Sequence, residues 1–215
     1  MTDGTKRRPG TTAKGELTRA AILRAATPLF AEHGYRGASL ASVAETAGLS
    51  LPGLLHHFPS KEVLLLSLVE EGYHADGKLL SDHSSEERLR LFDALRDIVE
   101  RNQSSPDRVK LFTVLVTESI AVGHPAHDYF VKRYRKVRHR ISLDLRASQV
   151  AKEIRCDIDT TLLVPVIVAV MDGLQTQWLL DPDIDMLASF QVFCELISNA
   201  IDASSSGAPD TGTES

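Results

Sequence analysis

The sequence predicts an all-α protein in which a small three-helix unit precedes a larger helical domain, with about nine helices in all. Apolar residues recur at three- and four-residue spacing along most of the 215-residue chain. No stretch shows the alternating pattern of a half-buried strand. A hydrophobic content of 43% and a charged content of 25% are typical of a globular protein. The chain therefore has enough apolar side chains to build a helical core.

Capping residues, glycines and prolines predict where each helix begins and ends. Ser39, Ser50 and Ser60 are N-cap residues, Gly34 ends the first helix, and Pro28 predicts a kink inside it. The four N-terminal helices are predicted over residues 16–33, 40–47, 51–58 and 61–80. The five later helices are predicted over residues 86–101, 106–122, 125–150, 160–180 and 185–202, with Gly123 ending the second of them and Asp157 or Asp159 capping the fourth.

Composition predicts the domain boundaries. Residues 1–14 form a basic, polar arm and residues 204–215 form a polar tail, and we expect both to be disordered. Between them we expect a helix-turn-helix domain over 15–60 and a larger helical domain over 61–203.

Two classes of protein are excluded by the apolar pattern. The longest uninterrupted apolar run, Leu162 to Met171, is about half of the roughly 20 residues that a membrane-spanning helix needs. The N-terminus has no apolar segment before a cleavage site, so it is not a signal peptide.

Cys156 and Cys194 are too few for a disulfide framework or a four-ligand zinc site. We therefore expect a cytoplasmic protein with no membrane partner.

Charge is divided unevenly along the chain. Residues 1–60 contain seven lysines or arginines and four acidic residues, a net charge of +3, whereas the other 155 residues contain 17 basic and 25 acidic residues, a net charge of −8. A small basic unit on an acidic body is typical of a module that binds a polyanion.

Two short helices, each with a serine cap and joined through Gly48, form a helix-turn-helix. Apolar side chains within this unit supply its interior, and the residues left outside are mostly short and uncharged. Such a surface suits a helix inserted into a DNA major groove about 12 Å wide. The outward-facing residues are Ser39, Ser42, Ser50, Leu51, Pro52, Gly53, His56 and His57.

These residues resemble the TetR family of bacterial transcriptional regulators over Thr18 to Leu66. The resemblance is carried by FAEHGYRGASL, ASVAETAGLS and LPGLLHHFPSKEVLL at the family's spacing. It implies that Ser39 and Lys61 contact phosphates and that Gly48 makes the turn. It also implies that the DNA side of that helix carries Leu51, Pro52, Gly53, His56 and His57.

Three positions depart from the family's pattern. Leu55 stands where the family usually has a tyrosine that bonds a phosphate, and Leu51 and Pro52 stand where Lys or Arg and Gly are common. Leucine cannot make a phosphate hydrogen bond, so either this contact is absent or another residue replaces it.

Other polar clusters favour no catalytic or metal site. His56 and His57 point about 100° apart on a helix, so phosphate-facing surface histidines explain them better than metal ligands. His124, His127 and Asp128 are expected to form a solvated first helical turn. The basic run over 132–140 is expected to form a solvated stripe. No common catalytic or nucleotide-binding motif is present, so we expect neither an enzyme nor a cofactor.

The predicted helix over 160–180 has two apolar faces, which indicates that it buries both. One face is expected to line an effector pocket and the other to pack on a partner subunit together with the last helix, with a bend near Pro165. The alternative is that both faces belong to the core of a single chain. The expected pocket residues are Phe112, Leu115, Phe130, Tyr134, Met171, Gln175 and Trp178. The expected dimer residues are Leu163, Ile167, Val170, Leu174, Phe190, Phe193 and Ile197.

The sequence thus predicts a homodimeric, sequence-specific regulator that binds double-stranded operator DNA and represses transcription. A small hydrophobic effector is expected to relieve repression. The alternative is a helical ligand-binding or scaffolding protein with a vestigial DNA-binding head. Salt-dependent binding to the upstream DNA separates the two.

Overall fold

A computed structural model describes residues 13–82 and 89–205. Within these residues the chain forms nine α-helices and no β-strand, which confirms the predicted fold class. The helices are α1 (Ala13–Gly37), α2 (Leu40–Thr46), α3 (Leu51–His57), α4 (Lys61–Asp82), α5 (Leu89–Gln103), α6 (Pro106–Glu118), α7 (His127–Val150), α8 (Thr160–Leu180) and α9 (Met186–Ile201). Most of the predicted arm over 1–14 and of the predicted tail over 204–215 lies outside the described residues, which include only 13–14 and 204–205 of them.

The first helix breaks at Gly34 rather than at Pro28. Gly34 has φ 65° and ψ −175°, a backbone conformation that essentially only glycine adopts, and it is the non-helical residue inside α1. Pro28 lies within the helix and keeps helical φ and ψ, so the bend or tightened turn expected there stays a prediction. The predicted stop at Gly34 is the place where the chain turns.

The short helices α2 and α3 begin at the predicted caps. The Ser39 hydroxyl accepts the Ser42 backbone N–H at 3.0 Å, and the Ser50 hydroxyl accepts the Gly53 N–H at 3.2 Å. After α2, Gly48 has φ 69° and the Leu49 N–H bonds the Ala44 carbonyl at 2.8 Å. This is the Schellman arrangement, in which a left-handed glycine closes a helix end. The local sequence therefore determines the angle between the two helices.

The sixth helix ends four residues earlier than predicted, at Glu118, and α7 begins at His127. Residues 119–126 form successive turns instead. The Ser119 hydroxyl pairs with His124 Nδ1 at 2.8 Å, and His127 Nδ1 donates to the Ser119 carbonyl at 2.8 Å. These side chains stabilise the turns, so Gly123 lies inside the connection and does not end the helix.

Two cores stabilise the molecule. The first joins α1–α4 to α6 and α7, since Leu54 and Phe58 of the N-terminal unit belong to the same buried cluster as Leu115 and Phe130. The second lies within the body, among α5, α7, α8 and α9. The N-terminal unit therefore sits directly on the ends of α6 and α7.

The eighth helix is more apolar than its longest uninterrupted run indicates. It has 21 residues, and an 18-residue window reaches a mean hydropathy of 1.5, so by length and composition it could cross a membrane. In this structure it packs against α6, α7 and α9. Its Asp172 accepts a hydrogen bond from Tyr134 of α7 at 2.7 Å.

Candidate nucleic-acid interface and ligand cavity

The second helix of the helix-turn-helix presents its first turn to solvent. Leu51 is 40% exposed and Pro52 is exposed, whereas Leu54 in the same helix is fully buried. Phe58 is also fully buried just after the helix. These two anchors hold α3 against α1 and α2, so its outer face is free for a partner.

The residues predicted to face DNA all belong to this outer surface or to its caps. Leu51, Pro52 and His56 are exposed, and Gly53 and His57 are half-buried. Ser39, Gly48 and Ser50 are exposed at the helix ends. Leu55 is 37% exposed, so it lies on the surface rather than in the core.

Lys61, a predicted phosphate contact, already has partners within the chain. Its ammonium donates to the Arg36 carbonyl at 3.1 Å and lies 4.8 Å from the centre of the Tyr35 ring. Burial lowers the pKa of Lys61, while the nearby carboxylate of Glu118 opposes that shift. An ammonium has three donor hydrogens, so this arrangement leaves capacity for a phosphate.

Glu118, which no sequence pattern indicated, joins the body to the N-terminal unit. Its Oε2 accepts the Tyr35 backbone N–H at 2.7 Å. A Cβ added at Gly34 would lie 2.2 Å from Glu118 Oε1, so glycine permits this close approach. The two segments are 83 residues apart in sequence, and no local pattern could have indicated the contact.

His124 packs against the same junction, and the prediction that it lies in a solvated helical turn is wrong. Its side chain is 6% exposed, and its ring meets the Tyr35 ring edge to face at 5.1 Å. Nδ1 accepts the Ala126 N–H at 3.2 Å, so the ring proton resides on Nε2, 3.7 Å from Glu118 Oε2. Burial lowers the pKa of His124, although Glu118 opposes the shift. Because Nδ1 accepts the Ala126 N–H, the imidazole is neutral in this arrangement.

A cavity of about 240 Å³ lies among α6, α7 and α8. Its lining residues are Phe112, Thr113, Val116, Thr117, Tyr134, Asp172, Gly173, Gln175 and Thr176. Three of the predicted pocket residues are among them: Phe112, Tyr134 and Gln175. The threonines, the amide and the carboxylate make the lining more polar than the sequence predicted.

The other four predicted pocket residues lie elsewhere. Leu115 and Phe130 are buried in the first core, and Met171 and Trp178 pack against the second. Arg133, which was expected in a solvated stripe, stacks 4.5 Å from the centre of the Phe112 ring beside the cavity.

Tyr134 and Asp172 form a hydrogen-bonded pair in the cavity lining. Burial raises the pKa of Asp172, while the Tyr134 hydrogen bond and Arg133 oppose the shift. Burial also lowers the pKa of Arg133 to about 9. A guanidinium remains charged even so, and it offsets the carboxylate charge within the cavity wall.

The outer face of α8 and α9 is apolar and exposed, but it is not formed by all of the predicted dimer residues. Ile167 and Phe190 are fully buried in their own chain, so they are core residues and cannot contact a partner. Leu163, Val170, Leu174, Phe193 and Ile197 are half-buried against the second core. The exposed apolar residues of these helices are Leu162, Val166, Leu180, Val192 and Leu196.

The fold and the exposed α3 define a helix-turn-helix protein with a helical body, and comparisons with known proteins agree. Residues 22–68 match the family model for bacterial regulatory proteins of the tetR family. The chain is 31% identical over 105 residues to the HTH-type transcriptional repressor AcnR of Corynebacterium diphtheriae. The matched residues make up 47% of this chain and 52% of that protein. The match therefore spans about half of the relative's length.

Two solved structures share the fold over most of the chain. One, described as the molecular basis for control of antibiotic production by a bacterial hormone, has a TM-score of 0.70 at 26% identity and covers 89% of this chain and 99% of that one. The other is a complex of SmeT, a Stenotrophomonas maltophilia repressor, with triclosan. Its TM-score is 0.74 at 18% identity, and the match covers 93% of this chain and 98% of that one. Residues 22–68 therefore carry the N-terminal domain of the TetR family of bacterial regulatory proteins.

Proposed function

We propose that this protein is a homodimeric transcriptional repressor that binds operator DNA through α3 and releases it when a small effector occupies the body. The observation that carries the proposal is the exposed first turn of α3 on a unit held rigidly by Leu54 and Phe58. In helix-turn-helix proteins the N-terminal residues of the second helix reach the base edges. The protein acts by binding rather than by catalysis, in the cytoplasm where the DNA lies.

The exposed face of α8 and α9 supports dimerisation. Leu162, Val166, Val192 and Leu196 are 49–70% exposed. Large apolar side chains exposed on two neighbouring helices are typical of an interaction site. A dimer would place two α3 helices at a fixed separation, as two half-sites one DNA turn apart require.

Dimerisation is tested by Val166→Glu and Leu196→Glu. Each introduces a charge onto the proposed interface, so sedimentation should show a monomer where the wild type is a dimer. Val150→Glu is the matched control, since Val150 is 86% exposed at the end of α7, outside this face. A monomeric wild type at micromolar concentration would contradict the proposal.

The cavity supports effector binding. Its lining contains both polar and apolar side chains, which suits a small molecule with an apolar body and one or two hydrogen-bonding groups. The SmeT complex shows that a protein of the same fold takes up triclosan. A ligand shifts the dimer geometry only by binding one arrangement more tightly than the other.

Effector binding is tested with Gly173→Leu, because Gly173 lines the cavity. No atom lies within 4 Å of the position that a Cβ would occupy there, so the new side chain is added without a clash. Compounds that raise the melting temperature of the wild type should lose their effect on this variant while it remains a dimer. Gly123→Leu is the control, since its Cβ also enters open space and Gly123 is exposed and does not line the cavity. Compounds that act equally on all three proteins bind elsewhere.

DNA binding is tested by titrating the full-length protein with its own upstream region at several salt concentrations. A repressor should bind one fragment far more tightly than unrelated DNA, and the affinity should fall as salt rises. Absence of any specific fragment would favour the alternative of a ligand-binding protein with a vestigial head.

A further inference from the structure

The hydroxyl groups of the helix-turn-helix are already used inside the unit. Ser39 and Ser42 share a hydrogen bond at 2.8 Å, and the Thr46 hydroxyl donates to the Ser42 carbonyl at 2.9 Å. The Ser50 hydroxyl accepts the Gly53 N–H. These groups stabilise the helices, so base recognition depends mainly on the side chains of α3.

The recognition helix lacks the residues that usually read guanine and adenine. Its sequence is LPGLLHH, with no Arg, Lys, Asn, Gln, Asp or Glu. Bidentate recognition of guanine needs Arg or Lys, and that of adenine needs Asn or Gln. The polar side chains that α3 does contain, His56 and His57, lie in its last turn. The first turn, which reaches furthest into the groove, therefore offers no bidentate hydrogen-bond donor.

That first turn is apolar and exposed instead. Leu51 is 40% exposed and Pro52 is exposed beside it. Within the major groove the apolar feature that distinguishes one base is the 5-methyl group of thymine. A leucine at the tip of the helix can bury its surface against that methyl group, whereas next to a cytosine it would meet a polar edge.

We infer that α3 selects thymine through its 5-methyl group, with Leu51 as the specificity-determining residue. The inference rests on the proposed DNA-binding function. It separates Leu51 from Leu55, which has nearly the same exposure but lies one turn back from the tip of the helix. Leu51 contributes to sequence preference, and Leu55 does not.

The test begins by selecting duplexes from a random pool with the full-length wild-type protein. Each thymine of the selected site is then replaced in turn by deoxyuridine, which removes the methyl group and leaves the base-pairing edge unchanged. Burial of one methyl-sized group corresponds to about a fourfold change in affinity. We expect one or two thymines in each half-site to show that loss. Replacing such a thymine by 5-methylcytosine should retain more affinity than replacing it by cytosine.

Variants assign the effect to its residue. In Leu51→Ala the thymine and deoxyuridine duplexes should bind equally, in Leu51→Met the preference for thymine should persist, and in Leu55→Ala the fourfold ratio should remain. Circular dichroism checks that each variant is folded.

Three results would overturn the inference: specific binding with no sensitivity to deoxyuridine at any position, a ratio that survives Leu51→Ala, or a ratio lost equally in Leu55→Ala. If both alanine variants left every DNA affinity unchanged, the apolar turn would not contact DNA at all. If the wild type selected no duplex, the proposed function itself would fail.

Discussion

Removing the Glu118 carboxylate should weaken the contact between the body and the N-terminal unit. In the folded chain Glu118 Oε2 accepts the Tyr35 N–H at 2.7 Å, and the side chain is 31% exposed. A hydrogen bond to a charged group contributes about 1.5–3 kcal/mol to stability. Glu118 is also the last residue of α6, where the helix dipole disfavours a negative charge by about 0.3–1 kcal/mol. Alanine loses the bond and removes the unfavourable charge.

We therefore expect Glu118→Ala to lower the free energy of unfolding by about 1–2 kcal/mol. Glu118→Gln should lose about half as much, because an amide oxygen still accepts the Tyr35 N–H as a neutral bond. Both losses are measured by urea denaturation of the full-length protein, followed by circular dichroism. All variants are compared at one protein concentration, because the proposed dimerisation would couple to stability.

The matched control is Glu45→Ala, which removes an exposed carboxylate from α2 and should stay within about 0.5 kcal/mol of the wild type. A Glu118→Ala protein as stable as this control would show that the contact contributes nothing. Equal losses in the alanine and glutamine variants would show that the charge matters and the hydrogen bond does not.

Four further predictions follow from titratable and exposed side chains. Burial lowers the pKa of His124 from 6.5, so the unfolded chain binds its proton more tightly and stability falls as the pH drops below about 6.5. His124→Asn should flatten the pH dependence of the unfolding free energy on this acid side, and an unchanged slope would contradict the assignment. Burial raises the pKa of Cys194 to about 11 while Cys156 is exposed, so a thiol reagent near pH 8 should label one cysteine per chain quickly and the second only in denaturant. Two fast thiols in the native protein would show that the body is more open than the structure indicates. Leu55→Tyr should tighten binding to specific and unrelated DNA alike by about two- to tenfold per subunit, through one neutral phosphate hydrogen bond, without changing the salt slope. Lys61→Ala should instead flatten the slope, and a Leu55→Tyr protein that binds more weakly would show that residue 55 does not face a phosphate.

The sequence by itself determined the helix-turn-helix, because its signals are local. Ser39 and Ser50 cap the helices that they directly precede, and Gly48 takes the left-handed conformation within four residues of its bonding partners. Hydrophobic periodicity likewise indicated which later segments are helical. The same periodicity predicted two apolar faces on α8, since a side chain's position around a helix depends only on its spacing.

Tertiary structure decided which of those faces is buried and where distant segments meet. Ile167 and Val166 are adjacent and almost equally apolar, yet Ile167 is fully buried and Val166 is 49% exposed. The end of α6 was misplaced because the turns after it depend on Ser119 and His124 side chains that close back on one another. Glu118 meets Tyr35 across 83 residues of sequence, and no local propensity records such a contact. The polar cavity also forms only when three separate helices pack together. The residues predicted from apolar periodicity therefore include only part of its lining.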